Sequence, residues 1–231
     1  MFVGHAGLAF AARARYRDVP LGTLMAAAFA LDLIWPLLVL AGLETVTVDP
    51  AVVGFTPLVF TWYPWSHSLL MVVGWGVVAA LIVRARGHRR EVGMLVALLV
   101  VSHWVLDVVV HHPDLPFWPG AGTALAGLGL WNSVPGTLAV EGLLFAGGVA
   151  MYWRRTVARS WQGASGFWAL VIVMGILWAS APLLPPPASG RAVALGALSL
   201  WLIPFWAAWC DSHRDRAPGG QIPADQARGS A

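Results

Sequence analysis

Read for hydrophobic and polar positions, the 231-residue chain is a succession of long apolar runs separated by short polar or Pro-bearing segments. Six runs, at about 21–43, 66–85, 91–110, 136–153, 166–184 and 190–209, can each cross a hydrocarbon core of roughly 30 Å, which takes about 20 residues of helix. Their length predicts an all-α fold, a polytopic membrane helix bundle of about six transmembrane helices, with residues 1–211 as a single domain. Residues 2–12 are apolar but too short to span, and predict a half-inserted N-terminal helix or an interfacial one. The Arg residues follow this stretch instead of preceding it, the reverse of a secretory signal peptide, so it is expected to be retained. The segment 212–231, rich in Gly, Pro, Arg and Asp, predicts a disordered tail.

Composition strengthens this picture. The chain is 58% hydrophobic and 11% charged, whereas soluble domains carry about 25% charged residues, so no separate soluble domain is expected. A net charge of +3 could suit nucleic acid, but all fourteen basic residues are Arg and they sit in short clusters between apolar runs. Such clusters are topology signals, and no nucleic-acid partner is expected. Thirteen of the fourteen fall on one side: Arg13, Arg15 and Arg17; Arg84, Arg86, Arg89 and Arg90; Arg154, Arg155 and Arg159; and Arg214, Arg216 and Arg228. The positive-inside rule makes that side cytoplasmic, giving a multi-pass protein of the cell (inner) membrane with both termini in the cytoplasm. Cys210 is the sole cysteine, which excludes an intrachain disulfide and a thiolate metal cluster.

The outer loops, 44–65 and 111–135, contain no Arg or Lys and carry Trp62, Trp65, Trp118 and Trp131. These are expected to anchor the protein at the outer interface or to close a lid over a site.

Ionisable residues inside membrane spans are costly, and each is a candidate for function. Asp32 interrupts the first run, His67 opens the second, His103 and Asp107 lie in the third and Glu141 in the fourth. At a rise of 1.5 Å per residue from the Arg clusters, Asp32, His103 and Glu141 lie roughly 17–20 Å deep, with His67 and Asp107 near about 25 Å. A half-inserted N-terminal helix would raise His5 to about 12 Å, close to Asp32. His103, Asp107 and His111 are spaced i, i+4, i+8, one stripe of a helix face. Imidazoles and carboxylates without thiolates suit a divalent metal, zinc above all, in a set drawn from His5, Asp32, His67, His103, Asp107 and His111. Asp107 or Glu141, where not a ligand, is the expected catalytic base. Ser66 reads as the N-cap of the second span and Ser68 as a donor to a ligand; Asn132 and Ser133 read as the start of the fourth. A cation- or proton-coupled transporter and a scaffold with a purely structural polar cluster are the alternative functions.

His5 near the start, Asp32 in the first span, the Ser66-His67-Ser68 element and the His103-x-x-x-Asp107 helix resemble the inner-membrane LexA-binding-type metal-dependent hydrolase family, itself remotely similar to the zinc-dependent phospholipase C and P1 nuclease group. The resemblance covers roughly residues 1–112. It implies a membrane hydrolase using a divalent metal, with membrane lipids as surroundings and a lipid-like ester or phosphoester as substrate. Two departures stand out. Leu31-Asp32-Leu33-Ile34 keeps one carboxylate where the family has Pro-Asp-x-Asp, and Trp62-Tyr63-Pro64-Trp65-Ser66-His67-Ser68 lacks a His and an Arg of the family's His-Arg-Gly-x-Thr-His-Ser. These losses leave a single metal held by His5, Asp32, His67, His103 and Asp107, or some of them.

Overall fold

In a computed structural model of the chain, which describes residues 1–16 and 18–217, the apolar runs fold as helices and the outer loops as small hairpins. Arg17 and 218–231, with Arg228 and most of the expected tail, lie outside the described residues. In order, the elements are α1 (Val3–Arg15), α2 (Leu21–Ala28), α3 (Ala30–Leu40), the hairpin β1 (Thr45–Val48) and β2 (Leu58–Trp62), α4 (Pro64–His67), α5 (Leu69–Ala85) and α6 (Arg90–Val110). There follow the short pair β3 (Leu115–Pro116) and β4 (Leu125–Ala126), α7 (Val134–Arg155), β5 (Thr156–Ala158), α8 (Trp161–Ser180), α9 (Gly190–Ala197), α10 (Leu202–Ser212) and β6 (Arg214–Arg216). Part of the stretch expected to be tail is thus paired: β6 runs antiparallel to β5.

Among the described residues, four stretches are long and apolar enough to cross a membrane: Arg90–Val110, Val134–Arg155, Trp161–Leu183 and Gly190–Ser212. The first expected span is instead two helices, α2 and α3, bent by 53°, and would be a fifth span if the pair crosses as one. The second expected span, α5, has 17 residues, about 25 Å of helix. Its outward residues Leu70, Val77 and Leu81 are exposed and apolar, as are Ile172, Ile176 and Leu177 on α8. Apolar side chains in this number on helix exteriors are stable against lipid and not against water, and the chain is a membrane protein.

The bend has a specific cause. A sharp kink needs Pro, Gly or an intruding group, and Ala27-Ala28-Phe29-Ala30 offers neither Pro nor Gly. At the bend the carbonyl of Ala28 instead accepts a hydrogen bond from His103 Nδ1 of α6 at 2.7 Å. Pro36, the breaker visible in the sequence, lies further along, inside α3.

The N-terminal helix is buried in the bundle: Val3, Gly4, His5, Ala6, Gly7, Ala9 and Phe10 are all covered. It lies against α7 with backbones nearly touching, since a Cβ built on Gly148 would fall 2.0 Å from the Gly7 carbonyl oxygen. Small residues permit such approach between membrane helices, where packing replaces the hydrophobic effect as the driving force.

The Arg-bearing end is pinned by one carboxylate. Asp211 on α10 accepts from Arg13 Nε at 2.8 Å, from the Tyr152 hydroxyl at 2.9 Å and from the Leu21 backbone N–H at 3.1 Å. It thereby joins α1, α2, α7 and α10. Removing one partner of a buried ion pair leaves the other uncompensated. Asp211→Ala is therefore expected to cost about 3 kcal/mol, seen as a lower thermal midpoint of the detergent-purified protein, whereas an unchanged midpoint would show that the pair contributes nothing.

Candidate metal centre

Among the described residues, two groups of side chains in the bundle interior could hold a metal ion: His5, His103 and Asp107, and Asp32, His67 and His103. They share His103 and form one cluster drawn from α1, α3, α4 and α6. Asp107 is its hub. Its Oδ2 lies 3.1 Å from His103 Nε2 and 3.8 Å from His67 Nε2, while its Oδ1 lies 3.2 Å from His5 Nε2 and 2.5 Å from the Met1 amine. Asp32 Oδ1 stands 3.7 Å from His103 Nε2 and 4.0 Å from His67 Nε2. The His5 ring stacks on that of His103, with centroids 3.7 Å apart and planes at 8°.

The direction of the imidazoles decides what the cluster can do. His103 Nδ1 faces a carbonyl, that of Ala28, which can only accept, so Nδ1 carries the proton and a neutral ring presents a lone pair at Nε2. Although 3.1 Å from Asp107 Oδ2, Nε2 is not aligned for a hydrogen bond and is without a partner, as is His5 Nδ1. The Nδ1 of His67 lies 2.6 Å from Ser66 Oγ, and its Nε2 points to the same carboxylates. With both rings neutral and the proton at Nδ1, two imidazole lone pairs face oxygens of two carboxylates in one buried place. That arrangement offers nitrogen and oxygen ligands of the kind that suits a divalent ion.

Of the six metal candidates read from the sequence, His5, Asp32, His67, His103 and Asp107 are together. His111 is not among them. Helix α6 stops at Val110, and His111, its C-cap, has extended backbone at ψ 150°. The stripe argument needs a helix continuing through 111. Instead His111 Nδ1 lies 3.0 Å from Asp114 Oδ1, which also accepts from the Tyr63 hydroxyl at 2.6 Å. Burial and the neighbouring Asp114 hold the Tyr63 phenol well above its ordinary pKa, so it remains a donor.

Glu141 also differs from expectation. Its Oε2 accepts from the backbone N–H of Phe2 at 2.7 Å and of Gly4 at 3.4 Å, so the carboxylate caps the N-terminus of α1. A residue so engaged serves to hold the helix that carries His5. Asp107 Oδ1 is engaged by the Met1 amine and His5, while its Oδ2 faces the imidazoles of His67 and His103.

The serines exchange the roles read from sequence. Ser68 caps α5, accepting from Met71 N–H, while Ser66 Oγ bridges His67 to a residue that the sequence did not suggest, Glu44. Glu44 is 1% exposed, and its carboxyl is pushed up by burial, against which the hydrogen bonds from Ser66 work. No short motif connects positions 44 and 66. Ser133 caps α7 as expected.

The outer loops fold over this end of the bundle. Trp62, Trp65 and Trp118 are well exposed, but Trp131 is buried, its ring 4.2 Å from that of His111. Three of the four therefore keep an interfacial disposition, and Trp131 is part of the cover. No protein-family model, curated protein or solved structure matches the chain.

Proposed function

We propose that the chain is an integral-membrane hydrolase using one divalent ion, zinc above all, held by Asp32, His67, His103 and Asp107 with His5 as a further donor. The observation that carries this is the convergence of the Nε2 atoms of His67 and His103 on the carboxylates of Asp32 and Asp107. A bound ion of this kind supplies Lewis acidity and lowers the pKa of a water toward neutrality. Asp32, whose side chain is 24% exposed while Asp107 and the three imidazoles are almost wholly buried, is the open side of the cluster and takes the role of proton acceptor. His5 and the Met1 amine hold Asp107 in place.

The substrate we propose is a lipid-like ester or phosphoester reaching the site from the leaflet beneath the outer loops. Those loops carry no Arg or Lys, so a phosphate would depend on the ion for its charge partner, whereas a carboxylic ester needs none. The resemblance to the inner-membrane metal-dependent hydrolases supports the same reading. Six crossings, with α2–α3 and α5 as the first two, and both termini in the cytoplasm of the inner membrane, accord with the one-sided placement of Arg.

Metal analysis of the detergent-purified chain tests this. One equivalent of metal is expected in the native protein and none in His103→Ala or Asp32→Ala. A folded native protein free of metal would remove the reading.

A second reading, cation- or proton-coupled transport, has one observation in its favour: the 53° break between α2 and α3 beside Asp32, since broken helices line ion paths in transporters. Metal- or proton-driven flux into proteoliposomes, absent in Asp32→Ala, would select it.

A further inference from the structure

The geometry points to Glu44 as a positioning residue that, through Ser66, fixes the His67 ring with its Nε2 lone pair toward the metal group; this rests on reading that group as a metal site. The chain of contacts begins at the end of α3. There Gly42 adopts φ +74°, Gly42 N–H bonds to the Val39 carbonyl and Leu43 N–H to that of Leu38. This is the paired pattern of a Schellman turn, for which a left-handed residue is needed. The turn folds Glu44 back under α4, where it is as buried as the ligands themselves.

Both Glu44 oxygens accept from one residue. Oε1 takes the backbone N–H of Ser66 at 2.8 Å, and Oε2 takes its hydroxyl at 2.7 Å. A hydroxyl has one hydrogen. With that hydrogen given to Glu44, Ser66 Oγ can only accept from His67 Nδ1, 2.6 Å away. The proton of His67 is therefore held at Nδ1, and Nε2 is left with its lone pair.

The consequence for glutamine is specific. The Ser66 N–H is a backbone donor and cannot be reversed, so the amide oxygen of Glu44→Gln must face it and the amide NH2 must face Ser66 Oγ. The hydroxyl then turns its hydrogen to His67 Nδ1, and the ring proton moves to Nε2, where it blocks a metal. The other acceptor within reach of the hydroxyl, the Tyr63 carbonyl, is 3.5 Å away, at the limit of a hydrogen bond.

The test uses the full chain in detergent, with zinc affinity by competition and imidazole 15N NMR of metal-free protein, the His67 signals assigned by their loss in His67→Asn. Expected are an Nδ1–H tautomer in the native protein, an Nε2–H tautomer in Glu44→Gln, and a 10- to 100-fold weaker zinc affinity in that variant, in the range of losses when a ligand's partner is removed. Ser66→Thr, which keeps the hydroxyl, is expected to retain native affinity; Ser66→Ala is expected to lose about tenfold, and carries the test if Glu44→Gln does not fold. Native protein that binds zinc equally with Glu44→Gln, or whose metal-free His67 is Nε2–H, overturns the inference. Native protein that binds no zinc overturns the metal reading instead, with the tautomers still read separately.

Discussion

Asp107→Asn is expected to weaken metal binding by about a hundred- to a thousandfold while leaving the chain folded. The reason is direction, as only one orientation of the amide suits the surroundings. Asp107 Oδ1 receives the Met1 amine at 2.5 Å, so the carbonyl oxygen of asparagine stays there and its NH2 falls where Oδ2 was. That position is 3.1 Å from His103 Nε2 and 3.8 Å from His67 Nε2. The NH2 donates into the lone pairs that would bind the ion. A zinc site of four ligands is worth about 10–16 kcal/mol, so one ligand carries about 3–4 kcal/mol, and affinity should fall about a hundred- to a thousandfold. Chelation then distinguishes the proteins. A ligand at 100 times its dissociation constant stabilises the folded state by about 2.7 kcal/mol, so removing metal should lower the native thermal midpoint and leave that of Asp107→Asn where it was. If Asp107 serves only a structural polar cluster, the midpoint of both proteins will ignore chelator.

Most of this centre was legible because membrane burial makes an ionisable side chain conspicuous. His103 and Asp107 lie one helical turn apart on a single element, so their meeting follows from helix geometry alone. His5, Asp32 and His67 were found by their cost in an apolar setting, a signal that needs no knowledge of tertiary structure. His111 leaves the stripe for a local reason that the sequence carries. Pro113 restricts His112 away from helical backbone, so α6 had to end near 111 and the third member of the stripe was lost. The break at Phe29 is of another kind. Nothing between Ala26 and Ala30 opposes a helix, and the cause is a side chain 75 positions away, His103, inserting at the Ala28 carbonyl. Glu141 and Glu44 follow the same rule: each spends its carboxylate on backbone N–H groups of a distant segment, and such pairings carry no sequence periodicity. The sequence announced the groups that converge; the carboxylates that brace their segments emerged only with the fold.

Neighbouring glycines on α7 are expected to respond with opposite signs. A Cβ at Gly148 would lie 2.0 Å from the Gly7 carbonyl oxygen and 2.6 Å from its carbon, whereas a Cβ at Gly147 would meet nothing within 4 Å. Backbone cannot rotate aside as a flexible side chain can, so Gly148→Val must push α1 away, by about an ångström or more. Overpacking of this kind costs about 1–3 kcal/mol and occasionally more. Gly147→Ala, by contrast, gains about 0.5–1 kcal/mol from helix propensity alone. The displacement also reaches the site. His5 lies two residues from Gly7 on the same short helix, and misplacing a group in a catalytic constellation by about 1 Å can cost about a hundredfold in rate. Zinc affinity and thermal midpoint should therefore fall together in Gly148→Val, and in Gly147→Ala the midpoint should rise with affinity unchanged. Equal behaviour of the two variants would mean that α1 is not held against α7, and that His5 reaches the rest of the cluster by no fixed path.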